Sequence, residues 1–288
     1  MFEGASVAIV TPFKNGQIDE KMLKNLVEFH IKEGTDVILP CGCTGEAATL
    51  KHEEQIKVIQ LVVEMADKRV KVIGGTGSNS TEEALRLTKG AKKAGADGAL
   101  MITPYYNKPT PKGLYEHYSL IAKQVDIPVI LYNVPSRTGI SILPETVSQL
   151  SKIDNIVAIK EASGSLDQVS QILNLCDITV LSGDDSLTLP MMALGGQGVV
   201  SVAANIVPKK VSQMVHSFLE GKIDEARELH FELFPLFKAM FIEVNPQPVK
   251  TALALMGMIE MEWRLPLTRM SKENVEKLKG VLNSYKLI

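Results

Sequence analysis

The sequence predicts a (β/α)8 barrel, or TIM barrel, with a helical region appended at its C-terminal end. Short β-rich runs alternate with longer amphipathic runs from the start of the chain to about residue 205, and this alternation is typical of a parallel sheet. Most of the short runs are apolar along nearly their whole length, as strands in a helix-covered sheet must be. The 288 residues exceed the roughly 250 of a typical barrel, which leaves room for the appended helices.

Eight strands are predicted, the number that closes a barrel. They are Val7 to Val10, Val37 to Pro40, Val70 to Gly74, Gly98 to Thr103, Val129 to Asn133, Ile156 to Lys160, Thr179 to Ser182 and Gly198 to Val202. Helices are predicted between them, for example over Glu53 to Ala66 and Thr81 to Lys93. An open, doubly wound sheet is the alternative. The barrel is favoured because Gly74-Gly75-Thr76-Gly77 lacks the third glycine of a dinucleotide-binding turn.

The strand signal stops after Asn205, and a helical tail follows. Its predicted helices are Lys209 to Glu220, Ile223 to Phe241, Pro248 to Met256 and Lys272 to Tyr285. Glycine and proline residues punctuate these segments, as is usual at helix ends. We therefore divide the chain into a catalytic barrel over residues 1–224 and a helical region over residues 225–288 that packs on the barrel.

Composition and charge exclude several classes of partner. A net charge of −2 with 22% charged residues gives no electrostatic footprint for nucleic acid or an anionic membrane. No apolar run reaches the roughly 18 residues of a membrane helix, and the N-terminus lacks the features of a signal peptide. Cys41, Cys43 and Cys176 form a poor disulfide framework. We expect a soluble small-molecule enzyme of the reducing cytoplasm.

Barrel enzymes carry their chemistry at the C-terminal ends of the strands, and here Lys160 ends the sixth strand. Its stem could lie along the strand while the ammonium reaches water. Alternatively, burial lowers its pKa from about 10.4 and supplies a neutral, nucleophilic amine. Tyr132 lies near the end of the fifth strand, and Arg137 lies in the loop after it. The phenol could shuttle protons, and the guanidinium could bind a carboxylate. Taken singly, these two could also be a core aromatic and a solvated loop residue.

The second strand runs into the glycine-rich turn Cys41-Gly42-Cys43-Thr44-Gly45-Glu46. Glycines let a backbone approach a ligand, and amides near a helix N-terminus attract anions such as a keto-acid carboxylate. An ordinary tight turn has the same appearance. The five histidines are scattered and form no metal-binding motif, so no metal site is predicted.

Together these motifs resemble the dihydrodipicolinate synthase family, within the superfamily of class I pyruvate aldolases and N-acetylneuraminate lyase. The resemblance covers essentially the whole chain, in order. The matching segments are Gly42-Cys43-Thr44-Gly45-Glu46, Thr103-Pro104-Tyr105-Tyr106-Asn107, Tyr132-Asn133-Val134-Pro135-Ser136-Arg137-Thr138-Gly139, Ile159-Lys160-Glu161-Ala162, Ser182-Gly183-Asp184-Asp185, Gly198-Val199-Val200-Ser201-Val202 and Asn245-Pro246-Gln247-Pro248-Val249-Lys250. It implies condensation of pyruvate with L-aspartate-4-semialdehyde to 4-hydroxy-tetrahydrodipicolinate, the entry step to diaminopimelate and lysine. It implies no cofactor.

The resemblance also implies roles for individual residues of a homotetramer. Lys160 would form the pyruvate Schiff base, Tyr132 would transfer protons, and Tyr106 would reach into a neighbouring subunit's site. Thr44, Gly183 and the backbone of Val200 would surround pyruvate, and Arg137 would bind the semialdehyde carboxylate. The lysine-regulatory residues would be His52, Asn79, Glu83 and Tyr105.

Two departures from the family pattern weaken specific expectations. Cys43 stands where the family has a threonine that joins its proton relay, and a thiol is a weaker hydrogen-bonding group than a hydroxyl. Ala47 and Gln55 replace the serine and histidine of many lysine-sensitive members, which predicts weak lysine inhibition. Two alternatives stay open: an aldolase acting on a sugar-acid aldehyde, against which Arg137 argues, and a catalytically weakened barrel that binds pyruvate.

Overall fold

The computed structural model describes all 288 residues, and eight parallel strands close into a barrel. Strands β1 to β8 are, in chain order, Gly4–Ala8, Val37–Leu39, Lys71–Gly75, Gly98–Ile102, Val129–Asn133, Ile156–Glu161, Thr179–Ser182 and Gly198–Ser201. Each strand pairs with the next along the chain, and β8 pairs with β1. This closure confirms the predicted TIM barrel and excludes the open sheet.

Most strand boundaries lie within one residue of the prediction, but the first strand begins earlier than expected. It spans Gly4–Ala8, whereas the apolar pattern predicts Val7 to Val10. Two backbones meet at this beginning: a Cβ atom on Gly198 of β8 would lie 2.0 Å from the carbonyl oxygen of Gly4, so position 198 requires glycine. A close approach of backbones leaves no apolar signal in a sequence, and therefore the pattern missed this strand's beginning.

Twelve α-helices accompany the strands. Helices α1 to α12 are, in chain order, Glu20–Lys32, His52–Ala66, Thr81–Lys93, Pro111–Gln124, Pro135–Thr138, Pro144–Leu150, Leu166–Leu175, Thr188–Ala193, Pro208–Leu219, Ile223–Ala239, Gln247–Leu255 and Lys272–Ser284. The predicted helix boundaries are correct to within two residues. A hairpin of two-residue strands, Phe13–Lys14 and Gln17–Ile18, is too short to have been predicted from residue alternation. None of the helices has the length and apolar character needed to cross a membrane.

The C-terminal helices pack on the barrel rather than forming a core of their own. Leu233 of α10 and Leu278 of α12 belong to the same apolar cluster as Val7 of β1. The predicted boundary after residue 224 falls inside α10, which begins at Ile223. A second apolar cluster, with Ile121 of α4 among its members, fills the opposite side of the barrel.

The barrel interior is filled by inward-facing side chains, including Leu39, Ile130, Tyr132, Leu181 and Val200. Because all eight strands run in the same direction, their C-terminal ends meet at one mouth. The polar residues that follow the strands are therefore gathered there, around the packed interior.

Candidate active site

Lys160 lies at the mouth of the barrel, near the end of β6, and is only 5% exposed. Its Nζ atom lies 4.3 Å from the ring centroid of Tyr132, the residue in register with it on β5. Burial lowers the pKa of the Lys160 amine to about 8, although the neighbouring Cys43 and Asp185 act in the opposite direction. A considerable share of this amine is therefore neutral near physiological pH, which nucleophilic attack requires.

Tyr132, whose ring lies beside the Lys160 amine, is also buried. Burial raises the pKa of its phenol well above 10, and the adjacent Cys43 raises it further. The phenol consequently keeps its proton at neutral pH and can both donate and accept a hydrogen bond. Cys43 is half-buried and contacts the apolar cluster that contains Tyr132.

A cavity of about 610 Å³ opens at this mouth and brings six predicted site residues together. They are Cys43, Thr44, Tyr132, Arg137, Lys160 and Gly183. The C-terminal region contributes a further wall through Phe241, Glu243, Val244 and Asn245. The cavity therefore combines one buried amine with hydroxyl groups and a guanidinium, a set suited to a small substrate that carries carbonyl and carboxylate groups.

Asn245 connects two of the predicted substrate-binding residues. Its Nδ2 donates to Thr44 Oγ1 at 3.0 Å, so the Thr44 hydroxyl is left free to donate its own proton to a ligand. Its main-chain oxygen accepts from Arg137 Nη2, also at 3.0 Å. Thr44 is buried, whereas Arg137 lies exposed at the rim. Asn245 lies in a segment that resembles the family, but no role was predicted for it.

The loop after β7 fits closely against the Lys160 side chain. A Cβ atom on Gly183 would lie 3.0 Å from Lys160 Cε and 2.6 Å from Ala162 Cβ, so only glycine is accommodated there. The buried Asp185 follows, and its Oδ2 accepts from the main-chain N–H groups of Val202 and Ala203, each at 3.0 Å. Asp185 thereby holds the chain just after β8, a role that no sequence pattern indicated.

Two predicted residues lie outside the cavity in this single chain. The Val200 side chain is buried within the barrel, and Val200 does not line the cavity. Tyr106 is 90% exposed and has a positive φ of 73°, an uncommon conformation for a bulky residue.

Two of the four predicted regulatory residues line a second, neighbouring cavity of about 490 Å³. His52 and Tyr105 line it, and His52 Nε2 lies 3.9 Å from the Glu83 carboxylate. The Asn79 side chain does not line it, and its main-chain oxygen accepts a hydrogen bond from Asn107. Gln55 also lines this cavity, but its amide donates to the main-chain oxygens of Ala47 and Leu50.

Comparisons with a family model, with named relatives and with solved structures all point to one enzyme family. The model of the "Dihydrodipicolinate synthetase family" matches residues 1–285. Proteins named 4-hydroxy-tetrahydrodipicolinate synthase from Syntrophus aciditrophicus and Geobacter sp. (strain M21) are each 58% identical over the full length of both chains. The crystal structure of dihydrodipicolinate synthase from Aquifex aeolicus superposes with a TM-score of 0.98 at 54% identity, covering 99% of each chain. The enzyme from Thermotoga maritima has the same TM-score at 43% identity, with full coverage of both chains.

Proposed function

Because the chain belongs to the dihydrodipicolinate synthetase family, we propose that it condenses pyruvate with L-aspartate-4-semialdehyde to form 4-hydroxy-tetrahydrodipicolinate. The observation that carries this proposal is the buried Lys160 amine, which faces a cavity that also holds Tyr132, Thr44 and Arg137. An amine with a lowered pKa in a cavity that also contains carboxylate-binding groups is suited to imine chemistry on a keto acid.

Lys160 is the proposed nucleophile. Its neutral amine adds to the keto carbon of pyruvate, and the resulting carbinolamine loses water to give an imine. Both steps move protons between nitrogen and oxygen, and the Tyr132 phenol lies beside the amine to transfer them. Loss of a methyl proton then gives an enamine, whose carbon adds to the aldehyde carbon of the semialdehyde. The semialdehyde's amino group finally attacks the imine carbon, closes the ring and releases the Lys160 amine.

The two substrate carboxylates have separate proposed sites. Thr44 is buried, with a hydroxyl proton available to donate, and suits the carboxylate of pyruvate. The backbone of Val200 is proposed as a further contact of bound pyruvate. Arg137 at the rim offers a fork of donors matched to the second carboxylate. The difference in depth favours pyruvate binding first and the semialdehyde second. Arg137 also distinguishes this site from that of a sugar-acid aldolase, because a sugar aldehyde presents hydroxyl groups there.

Tyr106 supports the proposal of a homo-oligomer, with the homotetramer as the specific form. An aromatic side chain that is 90% exposed on an uncommon backbone conformation calls for a partner surface. We propose that it enters a neighbouring subunit's cavity and completes the proton relay through Cys43 and Tyr132. Light scattering tests the assembly, and Tyr106→Phe tests the relay through the turnover rate.

A coupled assay with both substrates tests the activity. The wild-type protein should form product, and Lys160→Ala should form none. Borohydride with pyruvate should add a pyruvyl mass to the Lys160 peptide of the wild-type protein alone. Product formed only with a sugar-acid aldehyde would favour the aldolase alternative, and trapping without product would favour the weakened barrel. Lack of any adduct on Lys160 would refute the proposed chemistry.

A further inference from the structure

Behind the glycine-rich turn lies an ion pair that does not line the cavity containing Lys160. Lys250 Nζ contacts the Glu46 carboxylate, and both side chains are completely buried. Lys250 belongs to α11, and Glu46 ends the turn that contains Thr44. The Lys250 ammonium also lies 4.4 Å from the centroid of the Phe13 ring, so it is enclosed on more than one side.

General stability does not readily explain this pair. Removing two charges from water is costly, and replacing a buried ion pair with apolar residues of similar volume often leaves a protein equally or more stable. Here the pair joins positions 204 residues apart. A contact of this kind is better suited to fixing a geometry than to adding stability.

The backbone of the turn has an uncommon conformation at Glu46, which such a contact can hold. This residue has φ 55° and ψ 34°, in the left-handed region that non-glycine residues rarely occupy. Its second carboxylate oxygen accepts from the Arg264 main-chain N–H at 3.4 Å. Both contacts of the carboxylate therefore come from the C-terminal helical region, and they hold the end of the turn in this conformation.

The same C-terminal segment contacts the turn at a second point. Asn245 donates to Thr44, and Lys250, five residues later, pairs with Glu46, two residues after Thr44. Two contacts at this spacing fix both the position and the direction of the intervening backbone. The Thr44 hydroxyl, which would otherwise move with a glycine-flanked loop, is held facing the cavity.

We propose that Lys250 and Glu46 are positioning residues, whose ion pair holds the turn so that Thr44 can bind the substrate carboxylate. The proposal rests on the proposed function, because it takes pyruvate as the ligand of the turn. It gives the C-terminal helical region a part in substrate affinity, although neither charged group contacts the substrate. Loss of the pair should therefore weaken pyruvate binding more than it slows the chemical step on Lys160.

The test measures borohydride trapping on Lys160 over a range of pyruvate concentrations, with thermal melting in parallel. Lys250→Met and Glu46→Gln should each raise the half-saturating pyruvate concentration by about 10- to 100-fold, the loss expected for one hydrogen bond to a charged group. The trapping rate at saturating pyruvate should change much less. Both single variants should melt at lower temperature, because each leaves an unpaired buried charge.

The double variant Glu46→Gln/Lys250→Met separates positioning from stability. It buries no unpaired charge, so its melting temperature should recover while its half-saturating concentration stays raised. Ile121→Ala is the matched control, because it removes a buried side chain from the apolar cluster on the far side of the barrel. It should lower the melting temperature and leave pyruvate affinity unchanged.

Three outcomes would overturn the proposal. They are unchanged affinity in the folded single variants, recovery of affinity together with stability in the double variant, and an equal loss of affinity in Ile121→Ala. If the single variants do not fold, the double variant alone tests the proposal. Its half-saturating pyruvate concentration should stay above that of the wild-type protein even though it is stably folded. Failure of the proposed function is distinguishable from failure of this proposal, because the wild-type protein itself would then form no pyruvate adduct on Lys160.

Discussion

Pyruvate trapping on Lys160 should rise with pH around a midpoint near 8. Burial lowers the pKa of this amine from 10.5 to about 8, and only the neutral form attacks a carbonyl. The neutral fraction is then about 9% at pH 7, about half at pH 8 and about 91% at pH 9. An exposed lysine would be about 0.03% neutral at pH 7. The initial trapping rate should therefore increase roughly tenfold between pH 7 and pH 9 and then level off.

The assay incubates the protein with subsaturating pyruvate for a short fixed time at each pH, then adds excess borohydride and measures the adduct by mass spectrometry. Lys160→Ala shows any labelling of other lysines, and N-acetyl-lysine methyl ester gives the profile of an unperturbed amine. A rate that is negligible at pH 7 and still rises beyond pH 10 would refute the reasoning. Such a profile would mean that the buried site does not favour the neutral amine.

Three further predictions concern the same site. The pKa of Lys160 is about 8 in the folded protein and 10.5 in the unfolded chain, so the free energy of unfolding rises with pH between these values. Below pH 8, Lys160→Met should add up to about 3 kcal/mol to the free energy of unfolding measured in urea melts. A lower free energy of unfolding in this variant would contradict the prediction. Cys43→Thr should raise kcat by about 2- to 10-fold, the worth of one hydrogen bond, and an unchanged kcat would mean that this position does not limit the rate. Lysine should inhibit the coupled assay weakly, because Gln55 and Ala47 replace the usual polar pair, and half-inhibition at submillimolar lysine would contradict this.

The sequence predicted the strands well because a closed parallel barrel buries both faces of each strand. Val129–Asn133 is apolar up to its last residue, Thr179–Ser182 has two apolar residues at its centre, and the boundaries of both strands are confirmed without change. The beginning of β1 was missed because Gly4 carries no side chain, and its backbone meets Gly198, where a Cβ atom would lie 2.0 Å from the Gly4 carbonyl oxygen. Periodicity reports the burial of side chains and says nothing about how closely two main chains approach.

The candidate site was partly predictable for a related reason. Lys160 and Tyr132 lie in the last two residues of predicted strands and Arg137 follows one, and the barrel rule places such residues at one mouth. Asn245 and Lys250 lie in the helical tail, where no such rule applies. Their contacts with Thr44 and Glu46 join positions 201 and 204 residues apart, and one sequence carries no signal for a pairing at that distance.

Adjacent aspartates after β7 illustrate a further limit. Asp184 caps the short helical turn that follows it, since its Oδ1 accepts from the Ser186 main-chain N–H at 2.9 Å. Asp185 instead turns inward and holds the chain after β8. Both residues are aspartates at adjacent positions, so the sequence does not distinguish them. Only the path of the backbone decides which one caps the helical turn and which one is buried.

Two buried lysines in this chain have different proposed roles, and their surroundings support the difference. Burial lowers the pKa of both amines, but for Lys250 the Glu46 carboxylate in direct contact opposes this shift. Lys160 forms no ion pair and faces a cavity next to an aromatic ring. Burial alone therefore does not make a lysine nucleophilic. The amine must also lack a carboxylate partner and have room for a substrate, and we expect pyruvate to modify Lys160 and leave Lys250 unchanged.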